Sequence, residues 1–256
     1  AEMSVQMDAG EFLRSLLKQK SRLGPRQDDE ILKRIHAERQ TCDDDLKNDS
    51  YSEFFIGDGQ LAPYDFFERL RALLPSNAIL VTDSGYNERI TMRHWSTSIP
   101  RTFISPSNYA CMGFAIPTAI GAAIALPDRK VVAIVGDGGL VMRGLEMMTA
   151  VREKLNLTII VLNNKGFGVI KRIQEDFFGQ SVAVDVGAPD FELLAKSISI
   201  EYQPVMGGIS ALEQSIRNQT PTLLEVKMQH REKDKAELLR RKLKNDIRQG
   251  LQKFVG

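Results

Sequence analysis

Two acid or amide side chains stand where apolar runs of the sequence end. Asp137 comes two residues after the run 131–135, and Asn164 comes two residues after the run 158–162. Ligands of open parallel sheets bind beyond the carboxyl ends of the strands, so we expect these two side chains to converge at one crevice. Their oxygens suit a hard cation such as Mg2+, which takes its remaining ligands from phosphate and water.

Glycines surround the first of these side chains. Gly136, Gly138 and Gly139 flank Asp137, so the backbone there can approach a ligand closely. A helical pattern begins just after them, which places N–H groups and the positive end of a helix dipole near the same point. The combination predicts a site for a diphosphate and a metal. Gly-Asp-Gly alone is equally typical of a tight turn, and the chain has no GxGxxG motif for a dinucleotide.

Short β-branched runs alternate with helical patterns through most of the chain. The runs are continuous rather than alternating, which indicates strands that are buried on both faces. The alternation predicts an α/β fold, a doubly wound parallel sheet with helices on both faces. The predicted strands lie at 78–81, 131–135, 158–162 and 222–226, and the predicted helices near 113–126, 142–154, 190–198 and 210–218.

The chain divides into three parts that differ in their helical and strand patterns. Residues 1–57 contain two helical patterns, Glu11 to Lys20 and Asp28 to Arg39, and no strand run. Residues 58–230 hold the predicted sheet and the metal site. Residues 231–256 predict an amphipathic helix with one apolar stripe, which we expect to pack on its own domain or on a sister subunit.

Composition excludes several classes of partner. The 256 residues carry a formal net charge of +1, so nothing in the charge calls for nucleic acid or an anionic membrane. Cys42 and Cys111 have no CxxC spacing and predict neither a disulfide framework nor a zinc site. No apolar run approaches the roughly 18 residues of a membrane span, and the expected location is the cytoplasm.

The spacing of the motif resembles that of a known family. Gly136-Asp137-Gly138 followed by Asn163-Asn164 matches the GDG…NN signature of thiamine diphosphate (ThDP) enzymes. From about Ala62 to Lys227 the chain is similar to the C-terminal cofactor domain of acetolactate synthase large subunits and related 2-oxo acid decarboxylases. The resemblance implies ThDP and Mg2+ as cofactors.

The resemblance also implies roles for individual residues. Asp137 and Asn164 become side-chain ligands of Mg2+, and the carbonyl of Gly166 becomes a third ligand. The diphosphate would be held by backbone at Gly136, Gly138, Gly139, Phe167 and Gly168.

A second segment resembles the part of the family that holds the rest of the cofactor. Residues 110–117 are similar to the family's GTMGFGLP sequence. By this resemblance Met112 is the bulky apolar residue that props ThDP in its bent shape. The carbonyl of Ala110 would accept from the 4′-amino group of the aminopyrimidine.

Substrate residues are expected at the mouth of the site. Asp83-Ser84-Gly85 resembles the family's strand-end turn, where Ser84 or Asn87 either contacts substrate or serves the loop alone. Residues 170–179 resemble the mobile segment that closes over the site. Ile173 replaces the tryptophan that shapes the acceptor pocket of acetolactate synthases, which argues against acetolactate as the product.

The family's activating glutamate lies in a separate N-terminal pyrimidine-binding domain. Residues 8–13 resemble the closing segment of the family's middle domain, so the chain is expected to be the C-terminal half of a longer enzyme. It is a natural split subunit, a fragment or one chain of a cleaved protein. We expect a hetero-oligomer, a dimer of heterodimers, with the pyrimidine-binding partner.

Several functions remain open from the sequence. The first is 2-oxo acid decarboxylation with transfer of the acyl group to a carbonyl acceptor, as in acetolactate synthases. Simple decarboxylation of a small 2-oxo acid is the alternative within the family. Outside catalysis, the chain is a non-catalytic assembly paralogue or a generic nucleotide-binding domain.

Overall fold

The computed structural model describes residues 6–19, 21, 30–31, 33–38, 41, 54–56, 61–185, 187, 189–205 and 210–230. By contacts the chain divides into two compact units, residues 1–45 and 46–256. In the first unit, helix α1 (Ala9–Lys18) begins where the Asp8 side chain accepts from the Glu11 N–H at 3.0 Å. Residues 30–31 and 33–38 are also helical, as the second pattern predicts.

The second unit is built on a seven-stranded sheet. The chain forms its strands in the order β1 (Phe54–Ile56), β2 (Ile79–Thr82), β3 (Phe103–Ile104), β4 (Val131–Gly136), β5 (Leu157–Asn163), β6 (Glu201–Pro204) and β7 (Thr222–His230). In space the order is β1-β7-β5-β4-β2-β3, with β6 also paired to β7. Among the strands that the structure describes, six run parallel and β1 pairs antiparallel with the end of β7. The parallel α/β sheet predicted from the sequence is therefore confirmed.

Helices cover both faces of this sheet. They are α2 (Pro63–Leu73), α3 (Tyr86–His94), α4 (Ala115–Ala125), α5 (Asp137–Arg143), α6 (Met147–Arg152), α7 (Gly168–Phe178), α8 (Phe191–Ser197) and α9 (Ser210–Arg217), with a 3-10 turn at Gly144–Glu146 between α5 and α6. Helices α2, α3 and α9 contribute to one apolar cluster, and α4, α5, α6 and α8 contribute to the other.

Strand β4 shows why both faces are buried. Val132 and Ile134 belong to the α2–α3–α9 cluster, whereas Val131, Ala133 and Val135 belong to the opposite cluster. Successive side chains of a strand point to opposite faces, so a continuous apolar run feeds two cores at once. The strands that carry the predicted site are thereby fixed from both sides.

Several features differ from the sequence prediction, among them helices α2, α3 and α7, which were not predicted. The single helix expected at 142–154 is instead α5, a 3-10 turn and α6, and α5 starts earlier, at Asp137. The break follows Arg143, whose backbone leaves the helical conformation, and Gly144 packs against Leu140 and Met147. Strands β1, β3 and β6 were not predicted, because β1 and β3 have only three and two residues and β6 is mostly polar.

Strand β1, Phe54 to Ile56, pairs with β7 and so belongs to the sheet of the second unit. The boundary at residue 57 stays a prediction. The predicted helix at 231–256 lies outside the described residues. Among the helices that the structure describes, none combines the length and apolar character needed to cross a membrane.

Candidate functional site

A cavity of about 240 Å³ opens at the carboxyl ends of the parallel strands. Turns after β2, β4 and β5 form most of its wall, as expected for an open parallel sheet. Its lining residues are Ser84, Gly85, Tyr86, Asn87, Ala110, Met112, Gly136, Asp137, Gly138, Gly139, Leu162, Asn164, Gly166, Phe167, Gly168, Val169, Ile170 and Met228.

Asp137 is a buried carboxylate with one oxygen left over. Its side chain lies at the first residue of α5, directly after β4, and the residue is 2% exposed. Oδ1 accepts from the Gly138 N–H at 2.9 Å, whereas Oδ2 has no hydrogen-bond partner among the described residues. Burial raises the pKa of Asp137, and the backbone N–H groups of Gly138, Gly166 and Lys165 oppose that rise. Such an orphan oxygen is stabilised by a cation.

The Asn164 amide connects this carboxylate to a backbone carbonyl. One end of the Asn164 amide lies 2.8 Å from the Gly166 carbonyl oxygen and 3.2 Å from Asp137 Oδ1. With Nδ2 at that end the amide donates to both oxygens, and with Oδ1 there three oxygen atoms converge. Oxygens bound to one Mg2+ at 2.0–2.1 Å in an octahedron are about 2.9 Å apart. The residues present therefore fit a small hard cation.

The charge of this oxygen set is low. Asp137 contributes its one carboxylate, while Asn164 and Gly166 contribute neutral oxygens. No group of three or more His, Cys, Asp or Glu side chains in the described part of the chain is placed to hold a metal. A divalent cation at these three oxygens would therefore retain most of its charge for an anionic ligand, as Mg2+ does when it binds phosphates.

Gly138 and Gly139 are required by close packing. A Cβ on Gly138 would lie 2.8 Å from the Phe167 ring and 3.1 Å from the Met112 methyl carbon. A Cβ on Gly139 would collide with Asp83 Oδ2 and lie 3.1 Å from a Val135 methyl group. The glycines after Asp137 thus let the 112 and 167 segments close around the start of α5.

The turn from Gly166 to Gly168 is also tightly packed. A Cβ on Gly166 would lie 2.5 Å from the Val184 carbonyl oxygen, and one on Gly168 would collide with the Asn164 amide and the Tyr86 ring. The N–H groups of Phe167 and Gly168 already donate to Val184 O and Gly166 O, at 2.8 and 2.9 Å. Both N–H groups are thus satisfied within the chain.

A residue that sequence reasoning did not assign anchors the opposite wall. Asp83 is fully buried after β2, and its carboxylate accepts from the N–H groups of Ser84, Gly113 and Phe114 at 2.8, 2.9 and 3.2 Å. Burial raises the pKa of Asp83, and these backbone donors oppose the rise. The carboxylate thereby holds the loop that carries Met112.

This loop has an unusual backbone at its cavity-lining end. Ala110 has φ 48°, a left-handed conformation that is uncommon for alanine, and its N–H donates to Pro106 O at 2.7 Å. Gly113, with φ 77°, takes the left-handed conformation that glycine adopts easily. Two reversals three residues apart present Met112, which is 37% exposed, to the cavity.

Of the three predicted substrate residues, two line the cavity and one does not. Ser84 and Asn87 both line the cavity, but Asn87 is buried and its amide nitrogen donates to Asp83 O at 2.5 Å. Ile173 does not line the cavity. It lies on α7 one turn beyond Ile170, which does line it, and is 44% exposed. Gly85 and Ile170 also line the cavity, and both belong to segments that were expected at the site. Four further residues complete the wall without having been predicted: Tyr86, Leu162, Val169 and Met228.

Comparison with known proteins agrees with this geometry. The family profile described as "Thiamine pyrophosphate enzyme, C-terminal TPP binding domain" matches residues 83–226, more than half of the chain. The chain belongs to the thiamine pyrophosphate enzymes. Thiamine pyrophosphate is ThDP, so the cofactor expected from the motif is that of the family, and Mg2+ is the family's usual metal.

Individual relatives include enzymes of different reactions. The chain is 33% identical over 178 residues to the acetolactate synthase isozyme 1 large subunit of Escherichia coli, covering 68% of this chain and 32% of that protein. It is 26% identical over 219 residues to the 3D-(3,5/4)-trihydroxycyclohexane-1,2-dione hydrolase of Bacillus subtilis, covering 78% and 34%. The chain spans about a third of the length of these relatives.

A solved structure shares the fold. It is the thiamine diphosphate-dependent 4-hydroxybenzoylformate decarboxylase of Rhodococcus jostii RHA1, with a TM-score of 0.61 and 27% sequence identity. The match covers 68% of this chain and 34% of that one.

Proposed function

We propose that the chain is the diphosphate-binding half of a ThDP- and Mg2+-dependent enzyme that decarboxylates a 2-oxo acid and transfers the acyl group to a carbonyl acceptor. The observation that carries the proposal is the meeting of the Asn164 amide with the Asp137 carboxylate and the Gly166 carbonyl oxygen beside the glycine-lined start of α5. When bound, ThDP supplies the reactive carbon that adds to the substrate carbonyl and the ring that accepts the electrons released on decarboxylation.

The metal is assigned to Asp137, Asn164 and the Gly166 carbonyl. The orphan Oδ2 of Asp137 and the 2.8 Å approach of Asn164 to Gly166 O support this assignment. Asp137 stays ionised as the ligand, since a divalent cation favours the charged form of a buried carboxylate. The Asn164 amide then directs its oxygen, rather than its nitrogen, toward the two other ligands.

The diphosphate is assigned to the backbone around Gly136, Gly138 and Gly139, together with the turn at Phe167 and Gly168. The glycines leave room because a side chain at 138 would meet Phe167 and Met112. The N–H groups of Phe167 and Gly168 already donate to Val184 O and Gly166 O. To bind the diphosphate, they would have to break these two hydrogen bonds and donate to the phosphate oxygens instead.

The remaining walls are assigned to the rest of the reaction centre. Met112 props the cofactor, and the Ala110 carbonyl accepts from its amino group, which the left-handed backbone at Ala110 supports by turning the loop into the cavity. Ser84 is the proposed substrate contact. Asn87 is assigned to the turn instead, because its amide nitrogen holds the Asp83 carbonyl.

A partner with a pyrimidine-binding domain is proposed to complete the site. Helices α5 and α6 and the turn between them expose Val141, Met142, Leu145 and Met148, each between 45% and 65% accessible. Met142 lies beside Gly113, next to the loop of Met112. An apolar patch that adjoins a cavity marks an interaction surface.

Simple decarboxylation is the second candidate. Ile173 in place of the acceptor-pocket tryptophan favours it, and the structural neighbour named as a decarboxylase adds support. Product analysis of the assembled enzyme separates the two, because carboligation yields a hydroxyketone whereas decarboxylation yields an aldehyde.

The deciding experiment is the thermal midpoint of the chain with ThDP, with and without Mg2+, for the wild type, Asp137→Ala and the exposed control Asp128→Ala. A ligand at a hundredfold excess over Kd stabilises the native state by about 2.7 kcal/mol. We expect a shift that requires Mg2+, persists in Asp128→Ala and disappears in Asp137→Ala.

The ligand-free midpoint of Asp137→Ala should change little, because the substitution removes the partnerless Oδ2, which is unfavourable when buried, together with Oδ1, which accepts from the Gly138 N–H. This separates loss of the site from loss of the fold. An unchanged ThDP shift in Asp137→Ala would refute the assigned site. No shift in the wild type, even with the partner present, would favour the assembly paralogue.

A further inference from the structure

A buried polar network lies beside the cation-site turn and has no part in the function proposed above. Glu225 lies in β7 and is 7% exposed. Its Oε1 accepts from Asn163 Nδ2 at 2.7 Å, and its Oε2 accepts from the Tyr202 hydroxyl at 2.5 Å. Burying a carboxylate costs free energy, and an apolar side chain of similar size is often at least as stabilising. A carboxylate at this position therefore suggests a role for its hydrogen bonds.

The network continues into the turn that follows β5. Asn163 is the last residue of β5, and its Oδ1 accepts from the Lys165 N–H at 3.0 Å. This bond closes a turn over two residues, and Lys165 adopts a left-handed backbone with φ 64°. Both ends of the Asn163 amide are therefore engaged, one with Glu225 and the other with Lys165.

The atoms that follow in the chain are those of the cation site. Asn164 and the Gly166 carbonyl flank Lys165, and their relative position depends on the backbone conformation at that residue. We propose that Glu225 and Tyr202 are positioning residues for the metal: through Asn163 they fix the turn that presents Asn164 and Gly166. This inference rests on the proposed function.

The strand pairing supports a positioning role. In the sheet, Glu225 of β7 is paired with Val161 of β5 on one side and with Pro204 of β6 on the other. Two residues further along the same strands, at the end of β5, Asn163 is paired with Lys227. Tyr202 reaches Glu225 from β6, which is anchored to β7 over four residues. Three neighbouring strands thus fix one amide, and hydrogen-bonded groups behind metal ligands commonly set their orientation.

The test measures Mn2+ affinity, from the electron paramagnetic resonance signal of free Mn2+, on the whole chain with saturating ThDP. Glu225→Leu removes the acceptor for Asn163 and should weaken Mn2+ binding about tenfold or more. Glu225→Gln keeps an acceptor oxygen for Asn163, and its amide can donate to the Tyr202 hydroxyl, so it should stay within about threefold of wild type.

Two further variants make the result specific. Asn163→Ala removes the side chain that joins Glu225 to the turn, at a half-buried position, and should weaken Mn2+ binding to the same extent. It provides the test if Glu225→Leu does not fold. Glu201→Leu is the matched control, since Glu201 is a partly buried carboxylate on β6 that accepts from Gln203 and Asn218, at 2.7 and 3.1 Å, away from the turn. Its Mn2+ affinity should equal that of wild type.

The outcomes are distinct. Wild-type affinity in both Glu225→Leu and Asn163→Ala would overturn the inference. So would an equal loss in Glu225→Gln, which would assign the effect to charge rather than to position, or an equal loss in Glu201→Leu, which would assign it to general loosening. If wild-type Mn2+ binding does not depend on Asp137, the proposed function itself fails.

Discussion

At the scale of single residues, the site depends on two buried carboxylates that stand in different environments. Asp83 uses both oxygens on backbone N–H groups, whereas Asp137 leaves Oδ2 without a partner among the described residues. The first carboxylate is therefore complete within the fold and the second is not. This contrast distinguishes a side chain that holds a loop from the one that we propose as a cation ligand.

Replacing Asp83 tests the loop-holding role. Asp83→Asn keeps one acceptor oxygen but turns an amide toward a backbone N–H of Ser84, Gly113 or Phe114, so a buried donor loses its acceptor. We expect the free energy of unfolding in urea to fall by about 1–3 kcal/mol. Asp65→Asn, at an exposed position of α2, should change it by less than about 0.5 kcal/mol. Equal effects of the two substitutions would contradict the role.

Sequence patterns assign a role to Asp137 and Asn164 but not to Asp83. The first two stand in a motif whose spacing is visible along the chain. The partners of Asp83 lie thirty and thirty-one residues away, at Gly113 and Phe114, and only the folded structure joins them. Gly139 is similar: its place in the motif is evident, but its contact with the Asp83 carboxylate is not.

At the scale of elements, a buried lysine connects the start of β4 to the end of α9. Lys130 is 6% exposed, and its Nζ donates to Ser215 O and Asn218 O at 3.3 and 2.8 Å. These carbonyls belong to the last turn of α9 and the residue after it, where a cation interacts favourably with the helix dipole. Burial nevertheless lowers the pKa of Lys130 from 10.5 to about 8.

This lowered pKa predicts a dependence of stability on pH. Between pH 8 and 10.5 the unfolded chain binds a proton at Lys130 that the native chain has released, so stability from this group rises with pH. The full gain is about 3 kcal/mol. Urea unfolding of wild type and Lys130→Met at pH 7 and pH 10 measures it: wild type should gain stability relative to the variant at the higher pH. A constant difference between the two proteins would contradict the prediction.

Elements with continuous apolar runs are those that the sequence predicts well. Strands β4 and β5 are buried on both faces, so their composition alone identifies them. Strand β6, with the sequence Glu-Tyr-Gln-Pro, and helix α3, with mostly polar residues, carry no such pattern. Their conformations are set by pairing with β7 and by packing on α2, which are tertiary contacts.

At the scale of the whole molecule, one binding partner could cover both the cofactor cavity and the apolar surface beside it. The cavity of about 240 Å³ is lined by the partly exposed Met112, and the exposed side chains of α5 and α6 follow after Asp137 in the chain. A partner that covers this surface would bury apolar area and exclude water from the cavity. The proposed pyrimidine-binding partner therefore adds both affinity and a closed site.

A pair of matched substitutions tests this arrangement. Two exposed leucines make a matched pair at different positions. Leu145 lies in the turn between α5 and α6 and is 65% exposed, and Leu193 lies on α8 and is 62% exposed. With ThDP and Mg2+, adding the pyrimidine-domain partner should increase the thermal shift of wild type and of Leu193→Lys. Leu145→Lys should abolish that increase and leave the shift of the chain alone unchanged, since a lysine charge opposes burial at an interface core. If both variants keep the increase, the partner binds elsewhere, and the cavity is completed by another surface of this chain.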